Sequence, residues 1–341
     1  MKRWIRRIAL GVGSLVAILL LTGSIWERVS RSSASKDFPV AGKLVDIGGR
    51  RIQIDCRGEG TPTVVLVSGL DVGGSLSWTA VHDSIARTTR TCAYSRAGIM
   101  WSDPGPAVTS AKGVADDLHA TLEKAGEHAP FVMVGHSLGG PYIMTYIKYF
   151  GDQVAGVVMV DASHPDQLER FKVIAPASAD ILAMNPLKVG AALSWTGLLR
   201  FLTRSTPAMP HQDMAGVHAQ GAYISNSIVG ALKEADALAP TLAEAGTFRK
   251  LGDRPLVVLT AMLPLSPAER TMMKLNDDGA RAFKEAWKAM HNEEASWSSR
   301  SEHILVPDAS HYLQFLKPEL VIRATRSVVD SVRATGHRSS E

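Results

Sequence analysis

From residue 43 onward, short apolar runs bounded by glycine or polar turns alternate with stretches whose apolar residues recur every three or four positions. That is the pattern of strands buried on both faces and interleaved with helices. Lys43–Ile47 and Arg51–Cys56 read as a strand pair joined through Gly48-Gly49, a hairpin signal because a two-residue turn needs two positive φ values. Thr63–Val67, Thr91–Tyr94, Phe131–Val134, Val157–Val160, Pro255–Thr260 and Ile304–Val306 read as further strands. Between them lie three helix faces: Trp78, Val81 and Ile85; Val114, Leu118 and Leu122, closed by Gly126; and Ile143, Met144, Ile147 and Phe150, closed by Gly151. Ala282–His291 and a segment opening at Pro318, with Val321, Ile322 and Val328 on one face, are helical too. Such alternation predicts an α/β fold around a mostly parallel sheet.

Two regions depart from this rhythm. Residues 165–250 offer no convincing strand; they are rich in Ala, Leu and Met, with Leu182, Leu193, Leu198 and Leu202 at helical spacing between prolines, and read as an inserted helical cap. At the other end, Ile8–Trp26 is uncharged and apolar all round, and Lys2, Arg3, Arg6 and Arg7 precede it. Its 19 residues are close to the length that spans a bilayer. The basic flank should stay in the cytoplasm and send the remainder outward. Thr22-Gly23-Ser24 leaves a cleaved signal open beside a membrane anchor. The expected layout is therefore 1–26 anchor or signal, 27–41 a polar, Ser-rich tether, 42–164 and 251–341 the sheet domain, and 165–250 the cap.

Composition adds exclusions. With 45% hydrophobic and 21% charged residues the chain can bury a core and is not disordered. The net charge of +4 is matched by the four basic residues before Ile8, so nucleic acid is not an expected partner. Two cysteines and scattered histidines lack metal-ligand spacing, so no metal site is expected.

The chemistry concentrates at Gly135-His136-Ser137-Leu138-Gly139, a G-x-S-x-G set between a buried strand and a helix. A strained turn there lifts the serine hydroxyl clear of the sheet, and glycines flank it where a Cβ would collide with neighbours. Without its context, the same stretch would be a Gly-rich turn with a capping serine. In this context the chain resembles the α/β-hydrolase fold family, and the resemblance implies a central sheet opened by an antiparallel hairpin, a helical cap, and serine, acid and histidine in that order along the chain.

Ser137 is then the expected nucleophile. His311, just past the last strand in Ser310-His311-Tyr312-Leu313-Gln314, is the expected base; its surroundings resemble the family's G-H-x-x-x-x-E-x-P loop, with Ser310 in place of the glycine and Leu316 in place of the acid. His303 is expected to precede its strand and so fall at the wrong end of the sheet, His164 is expected at a substrate gate beside Asp161, and His291 is a further competitor. Most relatives carry the acid after the strand that follows the cap, but Thr260-Ala-Met-Leu-Pro-Leu-Ser-Pro267 holds no carboxylate. A subset uses the preceding strand, whose C-terminal end here bears Asp161; Asp308 and Glu269 are the alternatives. Backbone N–H groups of Leu138 and of Leu70, in the Ser68-Gly69-Leu70 turn, are the expected oxyanion hole. Tyr94-Ser95-Arg96-Ala97-Gly98 resembles the family's Y-D-R-x-G loop with Ser95 for Asp, and Arg96 is expected to tie loops together rather than clamp substrate. The family's strand order also brings Cys56 and Cys92 close, as a disulfide or as two buried thiols. The expected reaction is hydrolysis of a small-molecule ester, its apolar group under the cap, with no cofactor, by a domain outside the cytoplasm held by residues 8–26 or secreted after cleavage. Acyl transfer, thioester or amide cleavage, and a non-catalytic binding role remain open.

Overall fold

The computed structural model describes residues 2–106, 110–174 and 185–338; Leu182 lies outside the described residues. Helix α1 runs Lys2–Asp37. Then follow β1 (Lys43–Asp46), β2 (Arg51–Arg57), β3 (Thr63–Val67), α2 (His82–Ala86), β4 (Thr91–Ser95), α3 (Ala111–Ala125), β5 (Phe131–His136), α4 (Gly139–Phe150) and β6 (Val154–Val160). Helices α5 (Gln167–Ile174), α6 (Asn185–Leu193), α7 (Leu198–Thr203), α8 (Met214–Asp236) and α9 (Leu238–Gly246) intervene before β7 (Leu256–Ala261). The chain continues with α10 (Pro267–Met273), α11 (Asp277–Ala295), β8 (Ser301–Val306), α12 (Leu313–Leu316) and α13 (Pro318–Arg338).

The strands form one eight-stranded sheet in the order β1-β2-β4-β3-β5-β6-β7-β8, antiparallel at β1–β2 and β2–β4 and parallel elsewhere. The two-residue period of the strands divides their apolar side chains between two cores. Val65, Val67, Met133, Met159 and Val258 face one layer built with α3, α4 and α9. Val64, Leu66, Val132, Val134, Val158 and Leu259 face the other, with Trp78, Val81, Ile85 and the Val321, Ile322 and Val328 face of α13. Because both faces are covered, the central strands carry uninterrupted apolar runs. At the first hairpin Gly48 and Gly49 take φ of 107° and 88°, and Asp46 Oδ1 accepts from both their N–H groups.

Two differences from the sequence expectation matter, and one alternative it left open is settled. Residues 27–37, expected as a tether, continue α1. The reason is tertiary: Glu27 is buried and accepts from Arg31 one turn on and from Arg200 in α7, which holds the polar half of the helix against the cap. His303 does not precede its strand but lies inside β8, which begins at Ser301. Cys56 and Cys92 stand directly opposite each other on β2 and β4 with Cα atoms 4.0 Å apart, and are joined as a disulfide.

Candidate active site

Ser137 follows the last residue of β5 and takes a φ of 53°, a left-handed conformation unusual for a side chain with a Cβ. The turn is held by Ser137 N–H to Val160 O (3.3 Å), and by Gly140 N–H and Ser163 N–H to Ser137 O (3.0 and 2.8 Å). The flanking glycines answer to space: a Cβ at Gly139 would run into the Val67 carbonyl, and one at Gly135 into Ile143 Cδ1 at 2.6 Å.

Asp161 follows the last residue of β6 with a φ of 45° and its side chain is buried. Its Oδ2 accepts from His311 Nδ1 at 2.7 Å, while its Oδ1 accepts from the N–H of Ala261 and from Trp287 Nε1, both at 2.8 Å. Burial alone would raise its pKa, but the hydrogen bond and charge of His311, helped by Trp287, carry it down to about 2. With Nδ1–H committed to the carboxylate, His311 in its uncharged form has its Nε2 lone pair available as a base. His311 is further fixed from behind. The buried His136 ring donates Nε2–H to the His311 carbonyl (3.0 Å) and lies against the His311 ring, centroids 4.5 Å apart. Burial, with His311 adding to it, lowers the pKa of His136 to about 3, so it stays neutral.

The structure thus brings Ser137, Asp161 and His311 onto one cavity of about 330 Å³. Its apolar wall comes from Phe171, Leu263, Leu265, Met272, Met273 and Phe283, and its polar groups include Gln167, Glu269 and Lys284. The competing residues go elsewhere. Glu269 lines the cavity, but its carboxylate closes a capping box on Ser266 at the start of α10. Asp308 pairs with Lys317 at the surface. His291 and His303 share the Thr260 hydroxyl, each at 2.6 Å, behind Asp161. His164, expected at a gate, is wholly buried away from the cavity, its Nδ1 accepting from Asp166 N–H. Ligand atoms of His164, Asp166 and Glu293 lie within 4.8 Å of one another, but Arg170 and Arg249 already bind both carboxylates.

Leu138 stands at the N-terminus of α4, where backbone N–H groups lack partners within the helix. Leu70 follows Gly69, which approaches so closely that an added Cβ would lie 2.7 Å from Ser137 Cβ. The carbonyls of Ser68 and Gly69 accept from Arg96 Nη1 (2.7 Å) and Nη2 (2.6 Å), and the same guanidinium is bidentate to Glu234 of α8 (2.7 and 2.8 Å). Both side chains are buried, so Arg96 ties the turn beside the serine to the cap and is not a contact for substrate. Glu234 and Trp287 were not anticipated from the sequence, because each is one polar or aromatic residue on an otherwise ordinary helix. Lys284, whose amine donates to Ala261 O and whose pKa burial lowers, was missed for the same reason.

A serine on a strained strand–helix turn, lining one cavity with a carboxylate-bound imidazole in a sheet that carries helical insertions, fits the hydrolase class that the fold suggests. A profile described as "Alpha/beta hydrolase family" matches residues 64–324, and the chain belongs to that family. Among curated proteins it is 26% identical to a probable transporter, efuK, of Hormonema carpetanum, over 85% of this chain and 43% of that one. The chain therefore spans less than half the length of that relative. Among solved structures it is similar to a putative epoxide hydrolase of Pseudomonas aeruginosa (TM-score 0.62, 19% identity, covering 86% of this chain and 96% of that one). It is also similar to a thermophilic esterase of Thermogutta terrifontis (TM-score 0.55, 20% identity, covering 85% and 98%). At these identities the structural likeness speaks for the fold.

Proposed function

We propose that this chain is a serine hydrolase that cleaves carboxylic esters through an acyl-enzyme on Ser137, with His311 as base and Asp161 as orienting acid. The observation that carries the reading is the 2.7 Å bond from His311 Nδ1 to the buried Asp161, on the cavity that Ser137 also lines. His311 Nε2 takes the Ser137 hydroxyl proton as Oγ attacks the ester carbonyl carbon. The N–H groups of Leu138 and Leu70 hold the oxyanion, and the imidazolium, steadied by the Asp161 carboxylate, gives its proton to the departing alcohol. Water then repeats the cycle and releases the acid. The apolar wall suits an acyl or alcohol group of that character, and an esterase stands among the structural neighbours. Epoxide opening and dehalogenation by a carboxylate nucleophile do not suit a serine at this turn. We also read α1 as a retained anchor that holds the hydrolase outside the cytoplasm, because the helix runs unbroken through Thr22-Gly23-Ser24 and packs on the cap beyond it.

The test compares turnover of short- and long-chain p-nitrophenyl esters by the full chain with that of Ser137→Ala, alongside labelling by a serine-directed phosphonate. Loss of both turnover and labelling in the variant is expected. Clean labelling of Ser137 without ester turnover would redirect the reading to thioesters, amides or acyl transfer. Absence of both in the unsubstituted chain would favour a non-catalytic binding protein.

A further inference from the structure

Helix α7 is turned inside out for a surface helix in water. Its arginine, Arg200, points inward, buried, with Nε and Nη2 on Glu27 (2.8 and 3.0 Å) and Nη1 on the Ala222 carbonyl (2.7 Å). Its large apolar side chains point outward: Leu198 is 43% exposed, Phe201 62% and Leu202 61%, at spacings of three and four that make one face. Trp195, on the turn just before α7, adds a ring that is 52% exposed. Single exposed apolar residues need no explanation, but a contiguous cluster of this size marks an interaction surface.

What lies beside the cluster identifies its occupant. Residues Thr196 and Gly197, within the cluster, are where α1 docks. A Cβ at Gly23 would strike the Thr196 carbonyl, and a Cβ at Gly197 would lie 2.8 Å from the Trp26 ring. Together with the Glu27–Arg200 pair, these contacts fix α1 to the cap at the point where its uncharged stretch ends. Above that point the apolar window of α1 has no protein cover at all. Directly after α7, the Arg204 guanidinium sits over the Trp26 ring, 5.5 Å from its centroid, and has no carboxylate partner among the described residues. It borders a cavity of about 350 Å³ that Ser30, Ser33 and His218 also line. Apolar side chains, then Trp with Arg, then polar groups is the sequence of environments met on leaving a bilayer.

We propose that the Trp195–Leu202 face of the cap is a membrane-seating surface, lying in the lipid interface beside α1, with Arg204 at headgroup level. The inference rests on α1 being retained in a membrane and is independent of the ester chemistry. It makes the cap a second, monotopic contact with lipid in addition to the spanning helix.

The test uses the full chain in phospholipid vesicles. With Cys56 and Cys92 joined, an introduced cysteine is the one thiol available to a nitroxide label. Val16→Cys reports on α1, Phe201→Cys on the proposed face, and Arg281→Cys on an exposed part of α11, with unchanged thermal unfolding required of each. Expected is a several-fold higher ratio of oxygen to nickel-chelate accessibility at positions 16 and 201 than at 281. A label at 16 in lipid with one at 201 in water overturns the seating surface and leaves the anchor standing. Both labels in water overturn the anchor, and the seating surface with it. Protection at 201 with spin–spin broadening that scales with the protein-to-lipid ratio assigns the face to a second copy of the chain and also overturns the proposal.

Discussion

Ser137 and Asp161 hold φ of 53° and 45°, a region that costs a non-glycine residue on the order of 1–3 kcal/mol. The cost is met by packing and backbone bonds around them, so small additions nearby should be felt. Gly69→Ala places a Cβ 2.7 Å from Ser137 Cβ and 3.1 Å from the His136 carbonyl, with no flexible side-chain end to yield. The Leu70 N–H should shift, and if it is an oxyanion donor, as proposed, kcat is expected to fall about 100- to 1000-fold with little change in KM, read by steady-state kinetics. At Asp161 the expectation concerns a proton. An asparagine can keep Oδ1 on Ala261 and Trp287, but it then presents N–H to His311 Nδ1 and forces the imidazole into the tautomer whose Nε2 is already protonated. Asp161→Asn should lower turnover by about 10³–10⁴ while leaving the fold intact, checked by kcat together with thermal unfolding.

At the level of elements, the Arg96–Glu234 pair spans 138 positions and is the bridge from the Ser68-Gly69 turn beside Ser137 to the cap. Glu234→Leu strands a buried guanidinium and should cost about 3–5 kcal/mol in chemical denaturation. Adding Arg96→Met should recover most of that stability. It should not recover kcat, because Arg96→Met itself removes the donors to the Ser68 and Gly69 carbonyls. A purely structural role for the pair would instead let activity return with stability. The elements themselves were largely legible, since covering both sheet faces leaves unbroken apolar runs in the central strands. β8 was read as only Ile304–Val306 because its first residues, Ser301, Glu302 and His303, are polar on an edge strand. Residues 27–37 were misread because their Ser-rich composition does not display a partner 173 positions away in Arg200. Asp161 was legible by its place at a strand end. What could not be read is how it is held: its carboxylate accepts from the neighbouring strand's Ala261 and from Trp287 of α11.

For the molecule as a whole, the histidines set a direction with pH. His136 is held neutral, its pKa lowered by burial to about 3, and His291 likewise to about 4. Unfolding restores ordinary values near 6.5, so between about pH 6.5 and 3 the unfolded chain binds more protons and stability rises with pH. Asp161, held down to about 2, acts in the same sense below about pH 4. These three groups should therefore contribute a fall in denaturation midpoint from pH 7 to pH 4, opposed by Glu294, whose pKa burial raises. His136→Gln, which can still donate an amide N–H to the His311 carbonyl, should make that fall shallower. An unchanged slope would remove His136 from the account.

The bond between Asp161 and His311 joins residues 150 positions apart, and the later of the two lies beyond β8. On a ribosome the serine turn, the carboxylate, the cap and all eight strands would be made before the imidazole is. If the proposed roles hold, a nascent chain carries its nucleophile and its acid before it has a base. On the proposed mechanism, hydrolytic power is then a property acquired late in synthesis, and a polypeptide interrupted before His311 could still bind what it cannot cut.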